Sequence, residues 1–585
     1  MGDYYIGVDV GTGSARACII DDKGEILSIA SKPTKLFRSG PDIYEQSTED
    51  IWTAICECTN RVIRDSGIAK ELVRGIGFDA TCSLAVLNRK TNEPMSVQGP
   101  HFKDTTHSVI LWADHRARDQ TDRINATGHN LLRYVGGTMS LEMEMPKILW
   151  LKEHMPADLF EQCKFYDLPD YLTFQATGNE ARSNCSIVCK MGFVPVGVDD
   201  SREGWSREFC SKIGLEDFNR EDFAAIGGIP GKNGRVLSAG EFVGGLTDEA
   251  AEQMGLKAGT PVGSGVIDAY AGWAGTVGAK VDTDSLENGF KSLGLNESES
   301  SGSAIDMASH RLAAVAGTST CHLAISKNPV FVPGVWGPYK GALIPNYWMA
   351  EGGQSATGSL LHHILTTHGA SKVAEEEAAK AGYGIFEFLN RRLESIRAEV
   401  DAPSIAYLIR HTFMYPDYHG NRSPLADPDM RGVIVGLGMD SDIDALATHY
   451  YAALEAIGMQ TRHIVDSLNK AGHEITSIFM SGGQCKNPLL MHLLASCTGL
   501  PVVMPEYIDA AVVLGSAFLG VQASTGEPLW DVMARLSKSG KIVYPSEDED
   551  EMRLLGVKYK VFLDMADSQR RYRAAVDAVD VLDEE

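Results

Sequence analysis

The feature that most constrains the fold is a strand–turn–strand unit that occurs twice in the chain. Residues 6–20, IGVDVGTGSARACII, and residues 313–326, AAVAGTSTCHLAIS, each place a Gly-Thr-x-Ser/Thr turn between two apolar segments of β type. The second copy directly follows a Ser-, Gly- and Glu-rich stretch at 292–306, a composition typical of a solvated linker. Because one copy begins each half, we interpret the chain as a duplication that forms two related α/β lobes.

The length agrees with this division, because a chain of 585 residues is too long to fold around one hydrophobic core. We predict a first lobe, a linker or loop, a second lobe and a helical extension over 1–285, 286–308, 309–530 and 531–585. The pattern of apolar residues predicts a strand at 72–80 and helices at 48–65, 440–470 and 552–577. The continuous apolar run at 510–521 is too short to span a bilayer and predicts a buried helix.

Charge and composition exclude several classes of partner. The net charge of -25, from 53 Lys and Arg against 78 Asp and Glu, repels phosphate backbones and anionic lipids. We therefore expect neither nucleic acid nor a membrane as a partner. The N-terminus lacks the basic and apolar regions of a signal peptide, and the 11 cysteines form no CxxC pair. We expect a cytoplasmic protein with reduced thiols; its oligomeric state stays open, with a homodimer as one alternative.

The first turn has the chemistry of a phosphate site. Gly11 and Gly13 allow the backbone to bend and to present N–H groups to a ligand. Thr12 and Ser14 add hydroxyl donors, and Arg16 adds a fixed positive charge. A dinucleotide fingerprint would need a third glycine where Arg16 stands, and no Gly-Lys-Ser/Thr sequence follows a predicted strand. A β-hairpin whose turn donates to phosphate oxygens therefore remains.

An acid stands beside this turn. Asp9 fits a Mg²⁺ ion, which accompanies polyphosphates and binds carboxylates. In a single copy, a glycine-rich hairpin with a surface Asp would be the simpler interpretation. The second copy of the turn, at 317–320, favours a phosphate site that is built from both halves.

Two further segments each have a functional and a structural interpretation. In SGVIDAYAG, residues 264–272, Asp268 lies between an apolar strand segment and the start of a helix. A carboxylate there can act as a general base, but the same position also suits a helix N-cap. In SGGQCKN, residues 481–487, a Gly-Gly turn either lets the backbone approach a flat base or simply makes a tight turn.

Ten blocks along nearly the whole chain resemble the FGGY family of carbohydrate kinases. In chain order they are DVGTGSARA, GFDATCSLAVL, LWADHRA, PKILWLKEH, SNCSIVCK, GVIDAYAG, AGTSTCHLAIS, EGGQSATG, HGNRSPLADP and SGGQCKNPLL. The segments DATCSLAVL and HGNRSPLADP are most similar to the ribulokinase-type branch. The resemblance implies two actin-like, ribonuclease-H-like lobes with a deep cleft for ATP and sugar between them.

The resemblance also implies roles for individual residues. Asp268 would be the catalytic base, and Mg²⁺ would be held by Asp9 and Asp268. The ATP phosphates would contact Gly11, Thr12, Gly13, Ser14, Arg16, Gly317, Thr318 and Ser319. The adenine nucleotide would be bordered by Gly482, Gly483, Gln484 and Asn487. The sugar would contact Thr81, Cys82, Ser83, Lys190, Asp268 and Glu351. The sequence departs from the family at Glu144, where a small or hydroxyl residue is usual.

Members of the family transfer the γ-phosphate of ATP to a sugar or polyol, so the resemblance implies an enzyme, a carbohydrate kinase that uses ATP and Mg²⁺. The family's glycerol kinases carry an Arg-Glu pair where this chain has Thr81-Cys82-Ser83, which leaves room for a longer sugar. We expect a pentulose, with D-ribulose before L-ribulose and D-xylulose. An alternative of another class is an interaction protein on the same fold that uses ATP as a conformational switch. Asp268 disfavours it, because a switch needs no base for a second substrate.

Overall fold

The computed structural model of the chain describes residues 2–281 and 304–580. Most of the predicted linker, 286–303, lies outside the described residues, and the end of it enters a 3-10 helix, Ala304–His310. The described residues form two lobes, each of which is built on a seven-stranded sheet. This is the two-lobe α/β arrangement that the duplicated unit predicts.

The sheet of the first lobe contains the first predicted hairpin. Its strands follow the order Phe242–Gly245, Pro261–Gly263, Val73–Ala80, Tyr4–Val10, Ser14–Asp21 and Ile26–Pro33. A short seventh strand, Val266–Ile267, also pairs with Val73–Ala80. Tyr4–Val10 is antiparallel to Ser14–Asp21 and parallel to Val73–Ala80, so the turn at 11–13 lies at the carboxyl end of the parallel strands.

The sheet of the second lobe repeats this topology around the second hairpin. Its strands follow the order Lys541–Val543, Val502–Met504, Ser477–Ser481, Arg311–Ala316, Thr320–Ser326, Trp348–Gln354 and Trp336–Lys340. Each lobe has antiparallel strands on one side of its hairpin, two parallel strands on the other and then an antiparallel edge strand. The shared topology supports the interpretation of the chain as a duplication.

A third sheet extends the first lobe. Its five strands follow the order Phe37–Arg38, Tyr44–Gln46, Val109–Ile110, Leu84–Asn88 and Cys163–Asp167. Two short strand pairs complete the described β structure: Arg182–Ser183 with Val236–Leu237, and Phe413–Tyr415 with Val433–Val435. Because Leu84–Asn88 begins directly after the predicted sugar segment 81–83, this additional sheet is joined to the site.

Helices cover both lobes. The first lobe contains Thr48–Ser66, Arg118–Ala126, Glu144–His154, Ala157–Phe160, Leu168–Thr177, Asn184–Lys190, Arg207–Ile213, Asp217–Arg220, Asp248–Met254 and Asp268–Val277. The later helices are Gly358–Thr367, Ser371–Ala381, Ile385–Glu399, Ile443–Ala471, Pro488–Thr498, Ala511–Thr525, Leu529–Leu536 and Glu549–Asp580. None of the helices in the described ranges combines the length and the hydropathy needed to cross a lipid bilayer.

Two helices pack against the sheet of the opposite lobe. Ala511–Thr525 comes between two strands of the second sheet in sequence but lies on the first sheet, where a Cβ on Gly77 would come within 2.0 Å of the Ser516 carbonyl oxygen. Asp268–Val277 lies on the second sheet, where a Cβ on Gly272 would come within 2.8 Å of the side chain of Val315. This exchange joins the lobes through buried helix contacts.

The two exchanged helices also cross one another at glycines. A Cβ on Gly515 would lie 1.9 Å from the Ala271 carbonyl oxygen, and a Cβ on Gly275 would lie 1.9 Å from the Ala511 carbonyl oxygen. No side chain larger than hydrogen fits at either position without moving a helix. Since Asp268 begins one of these helices, the crossing helps to position a predicted catalytic residue.

Candidate active site

Three carboxylates lie at the ends of three neighbouring parallel strands. Asp9 and Asp79 are opposite one another in the register of their strands, and Val266 is opposite Asp79 from the other side. Asp268 follows two residues after Val266. Asp79 is fully buried and Asp9 is 6% exposed, whereas Asp268 is half-buried. One edge of the first sheet therefore concentrates negative charge, and Asp268 is its most accessible member.

Asp268 has the protonation behaviour of a general base. It is the first residue of its helix, whose N-cap is Ile267, so the N-cap interpretation of Asp268 is wrong. Its Oδ1 accepts a hydrogen bond from Ala269 N at 2.7 Å. Burial and then the charge of Asp9 raise the pKa of Asp268 to about 7, against the opposing effects of Ala269 and Lys190. A carboxylate with such a pKa can take a proton from a hydroxyl near neutral pH.

Asp9 and Asp79 form a buried acidic pair. Ser516, on the helix exchanged from the second lobe, donates to Oδ2 of Asp79, and Oδ1 of Asp79 receives no hydrogen bond from a described donor. Burial and then the charge of Asp9 raise the pKa of Asp79 well above its ordinary value. Burial raises the pKa of Asp9 as well, and Arg16 opposes the shift. Without a cation, the pair therefore favours a shared proton.

This pair fits Mg²⁺. An oxygen-seeking cation would neutralise two buried carboxylates and would use the Asp79 oxygen that has no described donor. Within 2–281 and 304–580, no group of three or more His, Cys, Asp or Glu side chains is placed to hold a metal. Mg²⁺ tolerates few protein ligands, because it keeps several waters and takes phosphate oxygens from its substrate. The donor set is thus of the right kind for a substrate-bound Mg²⁺.

The first turn predicted to bind phosphate is held in place by residues of the additional sheet and of the segment that follows it. Gly11 N donates to Ser14 O at 3.0 Å and closes the turn. Trp112 Nε1 donates to Thr12 Oγ1 at 3.0 Å, and Gln46 Nε2 donates to Thr12 O at 2.9 Å. The N–H of Gly11 is therefore used within the protein, which leaves the next N–H groups of the turn as the donors for a ligand.

The second turn is closed and supported in a similar way. Gly317 N donates to Ser319 O at 2.8 Å, and Thr357 N donates to Thr318 O at 3.1 Å. Gln484 Nε2 donates to Gly317 O at 2.8 Å and to Thr357 Oγ1 at 2.7 Å. Gln484, predicted to border the adenine nucleotide, thus also fixes the turn predicted to hold the phosphates.

A cavity of about 1590 Å³ opens beside the second turn. It is lined by four predicted nucleotide residues, Gly317, Gly483, Gln484 and Asn487. A Cβ on Gly13, Gly317 or Gly483 would meet no atom within 4 Å, so the space beside these glycines is open. Gly482 differs, since it has a φ of +101° and a Cβ there would lie 1.9 Å from Ala316 O. A glycine is therefore required at position 482 by the backbone conformation and by the close approach of Ala316.

Asn487 has a structural task beside the cavity. It caps the helix Pro488–Thr498 by accepting from Leu489 N at 3.2 Å, and its Nδ2 donates to Tyr450 OH at 2.5 Å. Tyr450 OH donates to Asn390 Oδ1 at 3.2 Å, and Asn390 Nδ2 donates to Asn487 Oδ1 at 3.0 Å. This closed ring of three side chains fixes the wall of the cavity.

The predicted sugar segment Thr81, Cys82 and Ser83 is buried where the first sheet meets the additional sheet. Thr81 N donates to Val10 O at 2.9 Å, and Trp112 N donates to Ser83 Oγ at 3.3 Å. Cys82 is the least buried of the three, at 8% exposed. Residues 81–83 therefore connect the first hairpin, through Val10, to the segment that contains Trp112.

Lys190 and Glu351 come together, but as partners of one another. Lys190 Nζ lies 3.5 Å from Glu351 Oε2, which also accepts from Tyr270 OH at 3.2 Å. Arg422 Nη2 donates to Glu351 Oε1 at 2.5 Å. Lys190 and Arg422 both lie over the ring of Trp336, at 4.4 and 4.1 Å from its centroid. Both carboxylate oxygens of Glu351 therefore have partners within the protein, and its contact with the sugar stays a prediction.

Sequence reasoning missed three residues of this region. Asp79 lies one residue before the end of the strand predicted at 72–80, and this position was a usable signal. Arg422 lies in the block HGNRSPLADP and Trp112 in LWADHRA, but neither was given a role. Their contacts with Glu351 and Thr12 depend on long-range packing that no local pattern carries.

The sequence profiles of the FGGY family of carbohydrate kinases match the chain twice. The N-terminal domain of the family matches residues 4–275, and its C-terminal domain matches residues 312–524. The chain belongs to this family. It is therefore a carbohydrate kinase, an enzyme that phosphorylates a sugar, and sugar kinases of this family use ATP. The predicted family and enzyme class are confirmed.

Curated relatives span almost the whole kinase. A D-ribulokinase of Saccharomyces cerevisiae is 45% identical, over 99% of this chain and 94% of that protein. An FGGY carbohydrate kinase domain-containing protein of Homo sapiens is 41% identical, over 98% of both chains. A ribulokinase of Geobacillus thermodenitrificans is 28% identical, over 89% of this chain and 86% of that protein.

Solved structures confirm the predicted fold. A xylulose kinase from Rhodospirillum rubrum superposes with a TM-score of 0.72 at 19% identity, covering 97% of this chain and 99% of the other. A gluconate kinase from Lactobacillus acidophilus gives a TM-score of 0.73 at 18% identity, covering 97% and 98%. The kinase therefore has the two-lobed actin-like, ribonuclease-H-like architecture of such enzymes.

Proposed function

We propose that this kinase transfers the γ-phosphate of ATP to D-ribulose and forms D-ribulose 5-phosphate. The observation that carries the chemistry is the half-buried Asp268, whose pKa is raised to about 7 between the acidic pair and the Lys190–Glu351 contact. The choice of sugar is supported by the similarity to a D-ribulokinase over 99% of this chain.

In the proposed reaction, Asp268 accepts the proton of the sugar's primary hydroxyl while that oxygen attacks the γ-phosphorus. A new oxygen–phosphorus bond forms, the bond to the bridging β–γ oxygen breaks, and ADP leaves with the electron pair. The turns at 11–14 and 317–319 donate N–H and hydroxyl groups to the phosphate oxygens, and Arg16 adds positive charge. Alignment and charge stabilisation supply most of the acceleration in this mechanism.

Asp9 and Asp79 are the residues we propose to hold Mg²⁺, with Asp268 close to them. The ion would supply positive charge to the phosphate oxygens. Within the nucleotide site, Gly483, Gln484 and Asn487 would border the adenine in the 1590 Å³ cavity. Lys190 and Glu351 would contact the sugar as an ion pair that lines the site beside Asp268, and not as two independent side chains.

The test of this proposal is kcat/KM for D-ribulose, L-ribulose, D-xylulose, ribitol and glycerol, measured by coupled ADP release. We expect D-ribulose to lead, and Lys190→Ala to change the ranking because it leaves Glu351 with fewer partners. An unpaired buried polar group costs roughly 1–3 kcal/mol, or about ten- to hundredfold in discrimination. A preference for glycerol or for a six-carbon sugar would contradict the proposal.

The division at 285 and 309, the cytoplasmic location and the homodimer stay predictions. The exchanged helix Ala511–Thr525 bears on the division of the chain at 285 and 309. A fragment cut at residue 285 would leave the first sheet without that helix, so we propose that the two lobes fold as one unit.

A further inference from the structure

Glu142 lies on the side of the site that the first lobe forms, which we call the first-lobe wall and which includes Leu111 and Trp112. The buried Lys147 donates from Nζ to Leu111 O at 2.7 Å, Trp112 O at 3.1 Å and Glu142 O at 3.4 Å. One ammonium group thus holds the Glu142 backbone beside that of Trp112. Because the Trp112 side chain donates to Thr12, Glu142 belongs to the same wall as the first phosphate turn.

This wall faces the second lobe. His115, three residues after Trp112, lies opposite His419 of the second lobe, with ring centroids 6.2 Å apart and an interplanar angle of 23°. Glu142 is half-buried. Its backbone position beside Trp112, together with the facing histidines, therefore puts Glu142 at the cleft between the lobes.

The carboxylate of Glu142 has no described partner within the protein, whereas that of Glu351 contacts three side chains. Within the described ranges the hydrogen bonds of Glu142 use only its backbone, with N donating to Ser140 Oγ at 3.2 Å and O accepting from Lys147. No described basic group forms an ion pair with it. Glu351, by contrast, is held by Lys190 and Arg422. A half-buried carboxylate without a donor favours binding a hydroxyl group.

Electrostatic effects agree with this location. Burial lowers the pKa of Arg422, but nearby negative charges, with that of Glu142 first among them, raise it well above its ordinary value. Burial and then other nearby charges shift the pKa of Cys82 and of Cys321, and both Glu142 and Asp268 contribute to raising each. Glu142 and Asp268 therefore lie within electrostatic reach of the same two thiols, one from each lobe.

We propose that Glu142 binds hydroxyl groups at the end of the sugar away from Asp268 and excludes sugars whose far end is anionic. This inference rests on the proposed function, since it takes Asp268 as the base for the transferred hydroxyl. A neutral polyhydroxy end donates to the carboxylate. A carboxylate-ended sugar instead brings a second negative charge into a partly desolvated cleft, where like charges repel strongly.

The test compares D-ribulose with D-ribonate, a five-carbon sugar acid, in the wild-type kinase and in three variants. Glu142→Gln should lower kcat/KM for D-ribulose about ten- to hundredfold and should lower the ribulose-to-ribonate ratio, with KM for ATP unchanged. Glu142→Asp retains the charge, so it should weaken D-ribulose while it still rejects D-ribonate. Glu161→Gln removes a charge from an exposed position of the same lobe. It should change neither kcat/KM for D-ribulose nor the ribulose-to-ribonate ratio.

The outcomes separate this inference from the proposed function. If the wild type prefers D-ribulose and Glu142→Gln keeps both its kcat/KM and its rejection of D-ribonate, the role of Glu142 is overturned while the proposed function stands. If the wild type prefers another neutral sugar and Glu142→Gln loses that preference over the matching sugar acid, the choice of D-ribulose fails while the role of Glu142 stands. Wild-type turnover of D-ribonate equal to that of D-ribulose would overturn the inference.

Discussion

Asp268 differs from its two acidic neighbours in what its surroundings allow it to do. Asp9 and Asp79 are buried together and share negative charge that a cation can neutralise. Asp268 is half-buried, and its pKa of about 7 leaves it able to gain and to release a proton near neutral pH. One cluster of like residues can therefore divide into a cation site and a base.

The pH dependence of sugar phosphorylation tests this role. The pKa of Asp268 is raised, so the carboxyl is protonated below about 7 and cannot accept the hydroxyl proton there. We expect kcat to fall as the pH drops, with a midpoint at or below about 7, because a bound cation can only lower that pKa. The measurement is kcat at saturating ATP, Mg²⁺ and sugar from pH 5.5 to pH 8.

Asp268→Asn is the control for this profile. It should remove about two to four orders of magnitude from kcat while it retains binding of Mg-ATP, and its residual rate should lack the acid limb. Wild-type kcat in Asp268→Asn would rule out the base. An acid limb that persists unchanged in the variant would assign the titration to another group.

At the residue scale, the sequence led to Asp9 and Asp268 because each follows a strand pattern and precedes a turn or a helix. Asp79 was missed, although it lies near the end of the strand predicted at 72–80, which the structure pairs with the strand of Asp9. The pairing of Lys190 with Glu351 could not be predicted, since 161 positions separate them in sequence. Such contacts arise from tertiary packing, which no local pattern encodes.

The two hairpins have the same construction, with glycines that the backbone itself does not require. A Cβ on Gly317 would meet no atom within 4 Å, and Gly317 lacks the positive φ that penalises other residues. By comparison, Gly482 needs its glycine for a φ of +101°. The open space beside Gly317 is compatible with the prediction that a phosphate group approaches the backbone there.

Replacement of Gly317 by Val tests this interpretation of the second hairpin. We expect Gly317→Val to raise KM for ATP and to lower kcat, because a branched side chain would fill the space beside the phosphates. The midpoint of urea unfolding should change little, since the new side chain meets no protein atom at its Cβ. Steady-state kinetics with varied ATP, together with urea unfolding, provide the measurement.

The matched control is Gly369→Val, at an exposed glycine where a Cβ also meets nothing within 4 Å. It should leave KM for ATP unchanged. Equal ATP kinetics in Gly317→Val and the wild type would show that the second hairpin has only a structural role.

At the element scale, the sequence predicted the hairpins, the long helix and the strand at 72–80 well. The structure has Ile443–Ala471 and Val73–Ala80 at those places, because their apolar periodicity is strong. The helix predicted at 552–577 is Glu549–Asp580 in the structure, so it begins within the acidic run at 546–551. Acidic residues suit the first turn of a helix, where they face its positive end.

In the whole molecule, the exchange of two helices makes the lobes depend on one another. Ala511–Thr525 supplies Ser516 to Asp79 of the other lobe, and Asp268–Val277, which begins with the proposed base, packs against the second sheet. The hydrophobicity of 510–521 predicted a buried helix but not which sheet would cover it. Two sheets of similar topology offer similar surfaces, so the partner is decided by packing at glycines such as Gly77 and Gly272.

Gly515→Ala tests whether the helix crossing controls both stability and catalysis. The new methyl group would lie 1.9 Å from Ala271 O, so the helices must separate. We expect a loss of about 1–3 kcal/mol in the free energy of unfolding, as for other overpacked cores. At temperatures where the variant stays folded, kcat should also fall, because the shift moves Ser516 and Asp268 relative to one another.

The control is Gly556→Ala, inside the helix Glu549–Asp580, where a Cβ meets no atom within 4 Å. This substitution should raise the free energy of unfolding by up to about 1 kcal/mol. Urea unfolding and kcat measure both effects, and a Gly515→Ala kinase as stable and active as the wild type would mean that the crossing relaxes without disturbing the site.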